Sequence, residues 1–231
     1  MRWLVISDTH LGSATCKRQK DLLELLIKLT PKFDTLVING DFIDLWRKSY
    51  RKIVRNPDNK RIINYVFTTL PEEGKRVIYI FGNHEDTGED FLQDKFPQIE
   101  MFYKWENTGI TVTHGHQFHY LTEWKRFKGF ILAKLRQIIE SIFYVDLREL
   151  GMKLESFLGL NWSSKQIQKV HDEAIIRCKG RYKGIVIGHT HTHRQRIFNI
   201  HTDNFTLYDC GNSCKDLNYF LFDNDKILEV G

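Results

Sequence analysis

The 231-residue chain has little that would staple, kink or anchor it. Its four cysteines, Cys16, Cys178, Cys210 and Cys214, show no Cys-x-x-Cys spacing and are too few for a disulfide framework, so reduced, packed thiols are expected. The four prolines all lie at or before Pro97, and the second half has none. No apolar run reaches bilayer-spanning length. Met1-Arg2-Trp3-Leu4-Val5-Ile6 meets Asp8 before a signal-peptide core could form, so a cytoplasmic protein is expected, with peripheral contact to an anionic membrane left open. Internal repeats and low-complexity tracts are absent too. Charge of one sign is in small excess, +5 overall with a pI near 8.9, which suits anionic partners without choosing among phosphate-bearing substrates, nucleic acid and lipid.

What is present is an ordinary globular composition, 42% hydrophobic and 27% charged, carrying one repeated design. Short β-prone apolar runs end in polar residues: Val5-Ile6-Ser7-Asp8-Thr9-His10, Val37-Ile38-Asn39-Gly40-Asp41, Ile78-Tyr79-Ile80-Phe81-Gly82-Asn83-His84, Ile110-Thr111-Val112-Thr113-His114-Gly115-His116 and Ile185-Val186-Ile187-Gly188-His189-Thr190-His191. In the first half these runs alternate with helical patterns, one around residues 21–29 ended by Pro31 and one that Asp58 would cap and Pro71 close. The alternation implies βαβ units and a largely parallel sheet, where ligands bind beyond the carboxyl ends of the strands. The polar endings lie there.

Residues 122–183 read as helices, the last opening at Ser163 with a capping-box pattern to Gln166, and form an insertion before strands return at Gly184. The insertion holds 13 Lys/Arg and 7 Asp/Glu, an excess of 6, so the rest of the chain sums to about −1. It is either a solvated helical cap or a basic lid over an anionic substrate. The closing strands, with a turn at Asp223-Asn224-Asp225-Lys226, are expected to be mostly antiparallel.

Collected from the strand ends, Asp8, His10, Asp41, Asn83, His114, His189 and His191 mix carboxylate, amide and imidazole donors, with His84 beside them. Such a set suits first-row divalent metals, and the absence of cysteine among the donors argues against a structural zinc site. The donors exceed what one ion requires, and two ions sharing Asp41 would use them economically. The ordered motifs Asp-x-His, Gly-Asp, Gly-Asn-His-Glu, His-Gly-His and Gly-His-Thr-His resemble the calcineurin-like metallophosphoesterase family over almost the whole chain. Within it, Gly40-Asp41-Phe42-Ile43-Asp44-Leu45-Trp46, the insertion and Asp209-Cys210-Gly211-Asn212 are most similar to the UDP-2,3-diacylglucosamine pyrophosphohydrolase-like branch.

The resemblance implies a layered α-β-β-α sandwich of two packed mixed sheets, a single domain over 1–231 with a helical cap at about 120–183. One divalent ion would be held by Asp8, His10, Asp41 and His191, and another by Asp41, Asn83, His114 and His189. Manganese is the expected metal, with iron, zinc or nickel as alternatives. A bridging hydroxide would attack phosphorus, with His84 stabilising transition-state charge or protonating the leaving group, so that Asp41, Asn83 and His84 form the catalytic set. The substrate would be a small or lipid-linked phosphate compound, cleaved at a phosphodiester, pyrophosphate or phosphomonoester bond.

Two departures bear on this. Glu85 stands where the family often has aspartate, and His84 stands where the dedicated lipid A pyrophosphohydrolases carry arginine, which favours a more general phosphoesterase. A non-catalytic scaffold of the same fold is the alternative from another class, but such relatives lose ligand histidines. A nuclease using the basic insertion is a third reading, and it lacks an aromatic stacking register. Asp44 reads as either an orienting partner or a helix cap, and His116 as a neighbour of His114 that need not be a ligand. His119, His171, His193 and His201 read as ordinary histidines. Ser163, Ser164, Lys165 and Lys169 would either meet a phosphate or simply cap and solvate a helix.

Overall fold

The computed structural model describes residues 1–13, 16–86, 88–118, 162–200 and 203–231. Strands β1 (Arg2–Ile6), β2 (Thr35–Asn39), β3 (Arg76–Ile80) and β4 (Glu100–Phe102) lie parallel, and β10 (Phe220–Asp223) and β11 (Lys226–Val230) add an antiparallel hairpin. This sheet runs β11-β10-β1-β2-β3-β4. A second sheet runs β5-β6-β7-β9-β8, from β5 (Trp105–Asn107), β6 (Ile110–Val112), β7 (Gly184–Ile187), β8 (His193–Ile200) and β9 (Asp203–Cys210).

The two-residue period of the strands sorts their apolar side chains into three layers. Leu4, Ile6, Leu36, Ile38 and Tyr79 face helices Gln19–Leu29 and Pro57–Asn64 in one buried cluster. Trp3, Val5, Val37, Ile78 and Ile80 face the other way and meet Trp105, Val112, Val186 and Tyr208 between the sheets. Ile185, Ile187, Phe205 and Leu207 turn outward onto Val170, Ala174 and Ile175 of helix Trp162–Cys178. Two mixed sheets flanked by helices are therefore packed as a sandwich, as the resemblance implied.

Several local expectations change. The N-cap of helix Pro57–Asn64 is Asn56, whose side chain accepts from the backbone N–H of Asp58 and Asn59; Asp58 lies inside the first turn. Helix Pro57–Asn64 continues without a break through a π-helical turn, Tyr65–Thr69, into Leu70–Glu72, so Pro71 stands at the end of the helical stretch, as expected. Ser163 lies within helix Trp162–Cys178 rather than ahead of it. The closing strands are mostly antiparallel, as expected, in the pairs β8–β9, β10–β11 and β1–β10, but β7 runs parallel to both β6 and β9. Cys16 and Cys214 form a disulfide across a sequence separation of 198, overturning the expectation of four reduced thiols; Cys178 and Cys210 are free and buried. The earlier insertion helices lie outside the described residues. No helix among the described residues is long and apolar enough to cross a membrane.

Candidate metal centre

In-register parallel pairing brings the carboxyl ends of β1, β2 and β3 level, as it does those of β6, β7 and β9. The loops that follow cross-link at once. Asp8 N–H donates to Gly40 O at 3.0 Å, His10 N–H to Asp41 O at 2.8 Å, and Gly188 N–H to His114 O at 2.9 Å. The backbone turns sharply there: of eight non-glycine residues with positive φ among the described residues, five are the expected ligands Asp8, His10, Asp41, His189 and His191. That conformation is strained for side-chain-bearing residues and persists where its surroundings over-determine it, commonly at functional sites. Two glycines permit the close approach. A Cβ on Gly82 would collide with the Asp41 carboxylate, and one on Gly188 with Ser7 and Asp8.

Three groups of donor atoms converge, each within 4.8 Å: Asp8, His10 and His191; His10, Asp41 and His84; and Asp41, His114 and His189. Asp41 Oδ2 is central, 3.7 Å from His10 Nε2, 3.8 Å from His84 Nε2 and 3.4 Å from His114 Nε2. His191 Nε2 lies 3.2 Å from Asp8 Oδ1 and 3.2 Å from His10 Nε2. Second partners fix orientation. His114 Nδ1 donates to Asn39 O at 2.8 Å, which leaves Nε2 as the nitrogen presented to the cluster. Asp8 Oδ2 is taken by Ser7 Oγ and His189 N–H, while its Oδ1 faces inward.

The side chains present fit divalent ions. Asp8 Oδ1, Asn83 Oδ1 and His114 Nε2 are buried with no hydrogen-bond partner, and such orphaned atoms are costly unless something else meets them. The electrostatics agree. Burial opposes ionisation of Asp41, yet the His84 and His114 imidazoles hold it well below the usual carboxylate range. Burial would lower His114, but Asp41 and Asp8 raise it to about 10. A field that binds a proton this tightly is the field a cation would occupy. His10, by contrast, is pushed well below its usual value by burial and the neighbouring His84.

His84 is tied separately. Its Nδ1 lies 2.8 Å from Asp44 Oδ1, so Asp44 orients it, and Trp46 stacks on the ring at 4.8 Å. Burial would lower His84, but Asp41 and Asp44 outweigh it and raise it to about 9. His116 stands to one side, its ring 5.6 Å from His114 and 6.4 Å from His189, and it belongs to none of the three donor groups. Ser164, Lys165 and Lys169 are exposed on helix Trp162–Cys178. His119 and His201 lie outside the described residues.

Three contributors were not foreseen. Glu85, fully buried, accepts from the N–H groups of Asp41, Gly82 and Ile43 and from Tyr79 Oη, bracing the loops that carry Asp41 and Asn83. Its place in the Gly-Asn-His-Glu motif was the available signal. Asp209 and His171, both fully buried, meet behind the His189–His191 loop, and no local pattern marks the pair.

Fold and donor set together define an α/β sandwich protein with groups of candidate metal ligands at its strand ends. The family model described as calcineurin-like phosphoesterase matches residues 1–195, and the chain belongs to that family of metal-dependent phosphoesterases, which typically bind a dimetal centre. No curated protein matches the chain. Among solved structures, it is similar to a dimetal phosphatase from Danio rerio, with 11% identity, coverage of 100% of this chain and 96% of that one, and a TM-score of 0.46. It is also similar to the nuclease MPE from Pseudomonas putida, with 12% identity, 97% and 85% coverage and a TM-score of 0.45. A metallophosphoesterase from Sphaerobacter thermophilus shows 13% identity, 100% and 88% coverage and a TM-score of 0.43.

Proposed function

We propose that the protein hydrolyses a phosphodiester, pyrophosphate or phosphomonoester bond using two divalent ions, manganese by preference. One ion would be held by Asp8, His10, Asp41 and His191, and the other by Asp41, Asn83, His114 and His189. The observation that carries this reading is the three converging donor groups, two of them sharing Asp41, in which Asp8 Oδ1 and His114 Nε2 are buried and unpartnered, as is Asn83 Oδ1 in the loop after β3. Divalent ions bound there would supply Lewis acidity toward phosphoryl oxygens and lower the pKa of bound water.

The chain's own residues do the rest. Asp41 contributes charge to both halves of the cluster, and Asn39 O fixes the His114 tautomer. His84, kept protonated through neutral pH by Asp41 and Asp44, can donate to a phosphoryl or leaving-group oxygen. Once cations share the Asp41 charge, the 2.8 Å contact to Asp44 remains to hold that proton and the ring's orientation.

We read the whole chain, 1–231, as one domain, with about 120–183 as a helical cap. The Gly40–Trp46 motif supports a substrate related to UDP-2,3-diacylglucosamine, and His84 in place of arginine supports a broader phosphoesterase; the second is preferred because His84 sits in the donor cluster. A cytoplasmic enzyme touching anionic membrane is consistent with a lipid-linked substrate. The test is a manganese-supplemented screen of phosphomonoesters, bis-p-nitrophenyl phosphate, cyclic nucleotides, nucleotide-sugar pyrophosphates and a UDP-diacylglucosamine mimic, using wild type, Asp41→Ala and His84→Ala. Chelation and both substitutions should abolish turnover. Turnover indifferent to all three would sink the reading.

A further inference from the structure

The chain between the two histidines of the last motif is tied to something distant. Thr190 is buried, and its hydroxyl donates to Asp209 Oδ2 while accepting from Thr192 N–H at 3.2 Å. Asp209 sits at the carboxyl end of β9, beside Ile187 at the end of β7. The same Oδ2 lies 2.8 Å from Nε2 of His171, on helix Trp162–Cys178 behind the second sheet. A carboxylate oxygen accepts, so the imidazole donates. The other oxygen, Oδ1, takes Gly211 N–H at 3.3 Å. His171 and Asp209 are both fully buried, among Val170, Ala174, Ile185 and Leu207 of the outer apolar layer.

Stability does not explain such a relay. A buried carboxylate–imidazole pair loses its hydration, and well-packed apolar residues in both places would commonly serve the fold as well or better. The relay touches a loop whose geometry is demanding. His189 and His191 both hold positive φ, at 65° and 58°, with Thr190 alone between them. His189 N–H is tethered to Asp8 Oδ2 at 2.9 Å on the first-sheet side. Thr190 and Asp209 supply the tether on the second-sheet side.

We infer that His171, Asp209 and Thr190 form a positioning relay that holds His189 and His191 at the metal-binding geometry from behind, so that a helix packed on the outer face sets the affinity of the centre. This rests on the two-ion reading above. None of the three side chains is in the donor cluster, so they act through the loop rather than on substrate. Loss of the relay therefore lowers metal affinity and kcat and leaves KM for a small substrate unchanged. Partners standing behind metal ligands typically govern affinity or activity by about 10- to 100-fold when removed.

The experiment titrates metal-free protein with manganese, reading free Mn2+ by electron paramagnetic resonance, alongside thermal unfolding of the metal-free forms and kcat and KM on p-nitrophenyl phosphate esters. His171→Leu and Thr190→Val should each weaken binding by about 10-fold or more, while His171→Gln, which keeps a donor near the Nε2 position, and Thr190→Ser should stay within about threefold of wild type. Val170→Ala, which loosens the same helix without touching the relay, should lower the unfolding temperature and leave affinity intact. Equal affinity in wild type, His171→Leu and Thr190→Val overturns the inference alone. So does an equal loss in Val170→Ala, which would trace the effect to helix packing. Should His171→Leu not fold, the Thr190→Val and Thr190→Ser pair decides by itself. Wild-type protein that binds no manganese overturns the two-ion reading and the relay with it.

Discussion

Glu85 and Asp209 are both fully buried carboxylates standing behind candidate ligands, one for each sheet, and they differ in where their hydrogen bonds come from. Glu85 gathers three backbone N–H groups and one phenol, from Asp41, Gly82, Ile43 and Tyr79. Backbone donors persist through substitution, so this brace depends mainly on Glu85 itself. Asp209 gathers side chains, Thr190 and His171, from separate elements, and only Gly211 N–H from the backbone. The first-sheet half of the site is thus locally built and hard to disturb from outside. The second-sheet half is assembled from distant parts and can be altered from the helix behind it.

Asp41 belongs to both halves, and its removal should erase the distinction with the largest effect. Asp41→Ala is expected to cost about 10³-fold or more in kcat/KM, roughly 4 kcal/mol of transition-state stabilisation, and to lower manganese stoichiometry. Steady-state assay with elemental analysis checks both. If activity survives while one ion is lost, the halves work independently.

The Glu85 brace comes next. Glu85→Gln turns an amide N–H₂ toward donors that now meet an acceptor, and leaving them unsatisfied should lower unfolding free energy by about 3 kcal/mol in urea melts. Burial and the Asp41 charge push Glu85 up to about 8; cations that neutralise Asp41 would remove the second cause, and the four donors stay in place either way. The deficit in the variant should therefore persist in metal-loaded protein. A variant as stable as wild type would end the contrast between the braces.

Protonation offers a third test. His114, raised to about 10, carries its proton at neutral pH in metal-free protein and must shed it for Nε2 to ligate. Metal addition at pH 7 should release about one proton per chain from this residue, and affinity should weaken as pH falls, by about tenfold per unit. Calorimetry in buffers of different ionisation enthalpy measures the release. His114→Asn should abolish this share of it.

The smallest expected effect lies far from the site. Asn56→Ala removes the N-cap of helix Pro57–Asn64 and should cost about 1 kcal/mol while leaving manganese affinity unchanged. Coupling between that cap and the metals would contradict a first-sheet half that is locally braced.

The same contrast explains what could be read from the residues in order. Asp8, His10, Asp41, Asn83 and His84 follow continuous apolar runs, so strand and candidate donor announce each other, and the structure brings Asp8, His10, Asp41 and His84 together with His114, His189 and His191. Three-residue strands such as Glu100–Phe102 and Trp105–Asn107 carry too few residues for a period and passed unseen. The Asp58 cap failed because Asn56 competes two residues earlier, next to Pro57, which suits a first helical turn. Cys16 with Cys214, and His171 with Asp209, are partnerships made by the fold between distant positions, and spacing holds no trace of them.

The place of β1 carries a last consequence, for synthesis. It lies between β2 and β10, with Trp3 opposite Thr35 on one side and Phe222 on the other, and Trp3 stacks on Phe222 at 4.1 Å. A ribosome delivers β2 well before β10, so until β10 emerges the middle of the first sheet has an open hydrogen-bonding edge and a tryptophan without its stacking partner. A nascent chain halted after His191 would already hold every proposed ligand and still be an aggregation hazard. Expression of this protein should accordingly respond to chaperones and translation speed more than its folded stability suggests, with soluble yield at each truncation point as the measure.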